Sequence, residues 1–139
     1  MLEAFRSTGG TAPGEALGPL LQAHRPGHAV DLARLLGTGQ LFAFPWRAGL
    51  WVPMFQFDAA DLSPRAGAQR VRAELPPQWT GWALASWFAA ANDRLDGRRA
   101  VDVIDLDLAA VIRAAQGQPP AGEAPRTAAR PMRELAASV

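Results

Sequence analysis

Residues 87–104 read WFAAANDRLDGRRAVDVI. An apolar run carrying Trp87 and Phe88 enters a dense set of polar groups and leaves through Val101, Val103 and Ile104. The polar set is Asn92, Asp93, Arg94, Asp96, Arg98 and Arg99. It reads either as an active site beside a tryptophan or as the joint between two helices. The flanks decide between the two. Upstream, 79–91 (WTGWALASWFAAA) puts Trp79, Trp82 and Ser86 on one helical face and Leu84, Trp87, Phe88 and Ala91 on the adjoining one. Apolar side chains nearly surround that helix, so it belongs at the centre of the fold or at an interface. Downstream, a short helix over 100–104 precedes 105–116 (DLDLAAVIRAAQ). Asp107 is the expected N-cap there, and Leu108, Val111, Ile112 and Ala115 the buried stripe. Residues 92–99 are then a joint, with Asn92 and Gly97 as turn formers because both tolerate left-handed backbone. Trp87, Leu95, Val101 and Ile104 are its expected core. Asp93, Arg94, Arg98 and Arg99 remain as surface candidates for meeting a partner.

Working towards the N-terminus, 65–75 (RAGAQRVRAEL) predicts a helix with Val71 and Leu75 inward and its arginines outward, stopped by Pro76-Pro77. Residues 40–57 (QLFAFPWRAGLWVPMFQF) hold two β-prone aromatic runs around Arg47-Ala48-Gly49, the pattern of a hairpin. Pro45 and Pro53 cannot donate to a ladder and suit edge or bulge positions. A lone hairpin is marginal in water, so one face should pack on helices. Residues 28–36 (HAVDLARLL) predict a short helix through Val30, Leu32, Leu35 and Leu36. Residues 15–24 (EALGPLLQAH) predict another, interrupted at Gly18-Pro19, with a turn at Arg25-Pro26-Gly27. The expected fold is α+β, mainly α: a small helical bundle with one β-hairpin and flexible tails. Its expected parts are a flexible N-terminus over 1–14, a region with the β-hairpin over 15–78, a helical unit over 79–116 and a flexible, Pro/Ala/Gly-rich tail over 117–139.

Composition limits the function. The chain has 139 residues, 49% of them hydrophobic, enough for one domain with a real core. Net charge is +1, and every basic residue is arginine without a long cluster, so no phosphate-holding face is evident. Cysteine is absent, which excludes disulfides, thiolate metal sites and a cysteine nucleophile. His24 and His28 are separated by Arg25-Pro26-Gly27 and lack an H-E-x-x-H context, so no metal site is expected. Asp102, Asp105 and Asp107 alternate with apolar residues in a way that capping and turns explain without a carboxylate pair. No phosphate loop or G-x-S-x-G elbow is present. The expectation is therefore no catalytic residue, no metal and no cofactor. No apolar run approaches a membrane span, and no signal-peptide core opens the chain, so a cytoplasmic protein without membrane contact is expected. Trp46, Trp51, Trp79, Trp82 and Trp87 could stack nucleic-acid bases, but core packing or a protein interface accounts for them better.

The stretch 82–115 resembles the toxin-binding domain of Xre/MbcA/ParS-type antitoxins. Trp87, Asn92, Leu95, Gly97, Arg98, Val101, Asp102, Val103, Ile104 and Val111 fall on that family's pattern. Ala91 and Ala100 stand where the family usually has proline. Upstream, Pro53, Phe55, Gln56, Phe57 and Asp58 resemble the end of the hairpin wing that often precedes this domain, which implies a degenerate winged-helix-like region over 15–78. Between LARLLG and LFAFPW, however, only Thr38, Gly39 and Gln40 occupy the place of a recognition helix, which leaves no element to read a major groove. The resemblance implies a protein-binding antitoxin that neutralises a toxin, often a RES-type enzyme consuming NAD, by covering its active-site entrance. It gives Asp93, Arg94, Arg98 and Arg99 a partner to meet. Arg126, Arg130 and Arg133 in the tail would pair with acidic groups on that partner, and a homodimer is expected. The alternative is a DNA-binding regulator of its own operon using the wing and Arg47, Arg65, Arg70 and Arg72. A small enzyme built around Asn92–Arg99 is the third reading.

Overall fold

A computed structural model describes residues 1–24 and 32–117. A 3-10 helix, Leu2–Thr8, leads into β1 (Thr11–Pro13) and α1 (Gly14–His24). Next come α2 (Leu32–Gly37), β2 (Phe44–Trp46), β3 (Gly49–Pro53) and a 3-10 turn, Met54–Gln56. The helical half follows as α3 (Ala66–Glu74), α4 (Gly81–Ala89), a 3-10 turn at Asp93–Leu95, α5 (Ala100–Val103) and α6 (Leu108–Gln116). The architecture is mixed and mainly helical, with one small antiparallel sheet.

The hairpin forms where expected. Trp46 opposes Gly49 across a two-residue turn whose first residue, Arg47, has a left-handed φ of 56°. It is not alone, though. Strand order is β1-β3-β2, with Thr11 opposite Pro53 and Pro13 opposite Trp51. Pro45 lies on the edge strand β2, as its missing donor requires.

That third strand corrects the expectation of a flexible N-terminus over 1–14. Phe5 is fully buried and lies parallel to Phe55 at 5.9 Å. Gly10 accepts from the Met54 N–H at 2.9 Å, joining the segment to the end of β3. Burying one phenylalanine is worth about 2 kcal/mol, enough with a strand ladder to order a short segment. The expected break at Gly18-Pro19 does not occur either: α1 runs through it. Pro19 is exposed and removes one backbone donor, while Leu17 and Leu21 on the inner face are fully buried against Val52, Leu41 and Phe57. The turn at 25–27 and residues 28–31 of the next helix lie outside the described residues.

The principal core crosses the expected divide at 78/79. Phe42 from the loop before β2 stacks on Phe88 of α4 at 5.6 Å, and Phe44 of β2 meets Trp82 edge-on at 5.8 Å. Helices α3 and α6 pack closely, with Gly67 beneath Leu108. Gly81 starts α4 so close to the Ala43 carbonyl that a Cβ there would overlap it. Gln56 is the buried polar side chain among the described residues, and it is fully engaged. Its Oε1 accepts from the Phe42 N–H at 2.8 Å, and its Nε2 donates to the carbonyls of Phe42 and Pro53, both at 2.9 Å. Gln56 thus acts as a short piece of ladder for a loop that has none. From Thr38 to Ala43 the described chain contains no helix. Thr38 instead closes the end of α2 by donating to the Arg34 carbonyl at 2.9 Å.

Candidate functional site

The 92–99 joint is held by its own backbone. The Asn92 N–H donates to the Arg98 carbonyl at 3.0 Å, and the Asn92 carbonyl accepts from Leu95 and Gly97, both at 2.9 Å. The Asn92 side chain accepts from the Arg94 N–H at 2.9 Å and caps the 3-10 turn. Asn92 itself is extended, at φ −123°. The left-handed pair is Asp96, at φ 58°, and Gly97, at φ 81°. Asp96 replaces Asn92 as the expected turn former: Asn92 contributes its side-chain acceptor, and a short acidic residue also tolerates the left-handed well. Leu95, Val101, Ile104, Trp87 and Val111 are all buried, as expected of the joint's core. Asp107 caps α6 by accepting from Ala110 at 3.1 Å.

The four surface candidates of the joint are in different situations. Asp93 and Arg98 are exposed. Arg94 lies across the backbone of Gly117 at the C-terminal end of α6, where a cation faces the negative end of the helix. Arg99 is committed within the chain. It grips Asp102 through Nε at 2.7 Å and a terminal nitrogen at 2.9 Å, and it donates to the Ala4 carbonyl of the N-terminal segment. The hydrogen bond to Asp102 raises its pKa above the ordinary arginine value. Arg126, Arg130 and Arg133 lie outside the described residues.

Beside Arg99 opens a cleft of about 760 Å³ between the N-terminal segment, the turn after β3, the start of α3 and α5. Phe55, Phe57 and Val101 form apolar floor, Met54 and Leu62 are half-buried, and Leu106 stands on the rim at 77% exposure. Its charges are largely answered within the chain. Asp105 is paired with Arg65, Asp102 with Arg99, and Asp58 accepts from the Ala60 N–H at 2.8 Å. The three aspartates near the end of the joint therefore go to separate partners, Arg99, Arg65 and the α6 backbone, and do not form a carboxylate pair. Ser7, Thr8 and Gly9 supply a wall that the sequence reading had placed in a tail.

The arginines considered for nucleic acid divide similarly. Arg47 and Arg70 are exposed. Arg65 is bound to Asp105, and Arg72 is turned back onto the carbonyls that end α3. The tryptophans give no free stacking row. Trp79 and Trp87 are core, Trp46 and Trp82 lie parallel on each other at 6.0 Å, and the Trp51 indole donates to the Trp46 carbonyl at 3.3 Å. No helix among the described residues is long and apolar enough to cross a membrane. The chain matches no family model, and no characterised protein or solved structure is significantly similar to it.

Proposed function

We propose that this chain is a non-enzymatic protein-binding module of the antitoxin kind, whose partner covers the cleft and the adjoining face of the 92–99 joint. The observation that carries the reading is Leu106. Leu106 is 77% exposed, and with the half-buried Met54 and Leu62 it makes one continuous apolar surface over the cleft floor, the kind of surface that another protein covers. The paired state of the neighbouring charges supports the same reading. Asp102 and Asp105 in the cleft are held apart by Arg99 and Arg65, so they do not face one another as an acid–base pair. Asp58, Asp102 and Asp105, exposed members of the cleft lining, form a polar rim around the apolar floor, the usual anatomy of a protein interface. The partner that the resemblance implies is a toxin, and a RES-type enzyme is the specific candidate. Regulation of the chain's own operon has less support, because Arg65 is paired with Asp105 and no described helix fills the place of a recognition helix between Thr38 and Ala43.

Affinity-tagged chain co-expressed with the product of the neighbouring gene should retain that product through purification. Leu106→Asp should reduce the retained partner by about a hundredfold, the loss of a hot-spot anchor, while leaving the circular dichroism unchanged. A chain that purifies alone and relieves no toxicity of its neighbour would end the neutralising role.

A further inference from the structure

A second opening lies at the other end of α3. It is a groove of about 270 Å³ walled by Leu36, Leu41, Phe42, Leu50, Trp79 and Leu84. Leu50 is 43% exposed on its rim, and Gly39, in the short connection from α2, also borders it. Arg72 is the charged side chain that reaches this apolar lining. Its guanidinium donates to the carbonyls of Leu75, Pro76 and Pro77 at 3.5, 3.4 and 3.3 Å, long bonds to neutral acceptors. Among the described residues no carboxylate lies within ion-pair distance of it, whereas Arg65 and Arg99 each hold an aspartate. Partial burial also works against its charge and lowers its pKa from the ordinary value. An incompletely answered cation beside low-dielectric walls favours an anion. The neighbours of Arg72 select which anion. Leu50, 43% exposed, and the half-buried Leu36 offer apolar contact at the mouth of the groove, which a solvated sugar-phosphate chain would leave unused. A polypeptide that offers an acidic side chain next to an apolar one meets both conditions.

We propose that the groove at the C-terminal end of α3 is a second protein-docking site, which takes a partner segment presenting a carboxylate beside a leucine-sized side chain, with Arg72 receiving the carboxylate. The inference extends the protein-partner reading to another surface. Its test uses peptides, so it can fail while co-purification succeeds, and the reverse.

The ¹⁵N-labelled full chain is titrated with the peptide acetyl-Ser-Gly-Leu-Glu-Leu-Gly-Ser-amide and with its Gln counterpart. The Glu peptide should give saturable shifts at the Trp79 indole and the Arg72 Nε–H, and the Gln peptide should bind about tenfold more weakly. Arg72→Gln should erase that preference, while Arg72→Lys, which keeps the charge, should retain part of it. Because Arg72 also closes α3, thermal unfolding of both variants checks that the helix survives. Absence of saturable shifts at these positions, or equal binding of the two peptides, overturns the proposal. So does a shift of the free protein's Trp79 indole on Glu134→Gln, which would make the chain's own C-terminal segment the occupant.

Discussion

The two ends of α3 carry arginines in opposite states. Arg65 at the first end meets the carboxylate of Asp105, beside a cleft whose charges are closed within the chain. Arg72, about 10 Å further along the axis, meets backbone carbonyls and, among the described residues, no carboxylate, beside the groove. One helix therefore separates a surface that offers apolar contact from one that offers apolar contact plus a charge. An ion pair made inside the chain neutralises a cation, whereas hydrogen bonds to neutral carbonyls leave its net charge in place. The same residue type is thus neutralised at one end and, while closing α3, keeps its charge at the other. Any account of partners has to treat the ends separately.

The first way to break this contrast is to remove the wall of the Arg65 end. Phe5 is fully buried and packs on Phe55, which floors the cleft. Phe5→Ala should cost about 3–4 kcal/mol, a transfer loss plus a cavity. Ser7, Thr8 and Gly9 should lose hydrogen-exchange protection with it, and the Arg72 end should keep its Trp79 indole shift. Unchanged stability in urea would return residues 1–14 to the status of a tail.

The second acts on the link between the ends. The Gln56 carbonyl accepts from the Arg65 N–H at 2.8 Å, while its side chain clamps Phe42, a wall of the Arg72 groove. Gln56→Leu keeps the volume roughly constant and orphans the Phe42 N–H and carbonyl, so about 2–3 kcal/mol of stability should be lost. Exchange of the Phe42 amide should accelerate more than that of α6. Equal acceleration everywhere would mean that Gln56 supports the fold as a whole and not this loop.

What the sequence discloses and hides has a physical pattern here. The 92–99 joint was legible because strong helical periodicity borders it on both sides and Asp107 is a good cap. The hairpin was legible from aromatic alternation around Gly49. Phe5 was not, because it is a single anchor in a polar, Gly-rich run and the rings it packs on, Phe44 and Phe55, lie far along the chain. Pro19 misled because a helix rule about a missing donor was outweighed by two buried leucines that the rule does not count. The cleft and the groove are assembled from segments far apart in the chain, so neither has a local signature. That Arg65 meets a carboxylate while Arg72, among the described residues, meets none depends on where α5 and α6 return, which no spacing within RAGAQRVRAEL encodes.

The smallest perturbation is the sharpest test of the contrast. Asp105→Asn leaves Arg65 in place and removes its carboxylate, giving it the electrostatic situation of Arg72. The pair is 35% and 59% exposed, so solvent screens it and the stability loss should be no more than about 0.5 kcal/mol. Recognition should change more than stability does. With Asp105 neutral, Arg65 borders an apolar-floored cleft and lacks its internal partner, so the Glu peptide should acquire a second set of shifts at Leu106 and Val101. The Gln peptide should not. If the second set fails to appear while the Trp79 shifts persist, then Asp102 and Asp58 on the same rim still dominate the field in the cleft, and pairing of a single arginine is not what distinguishes the two ends of α3.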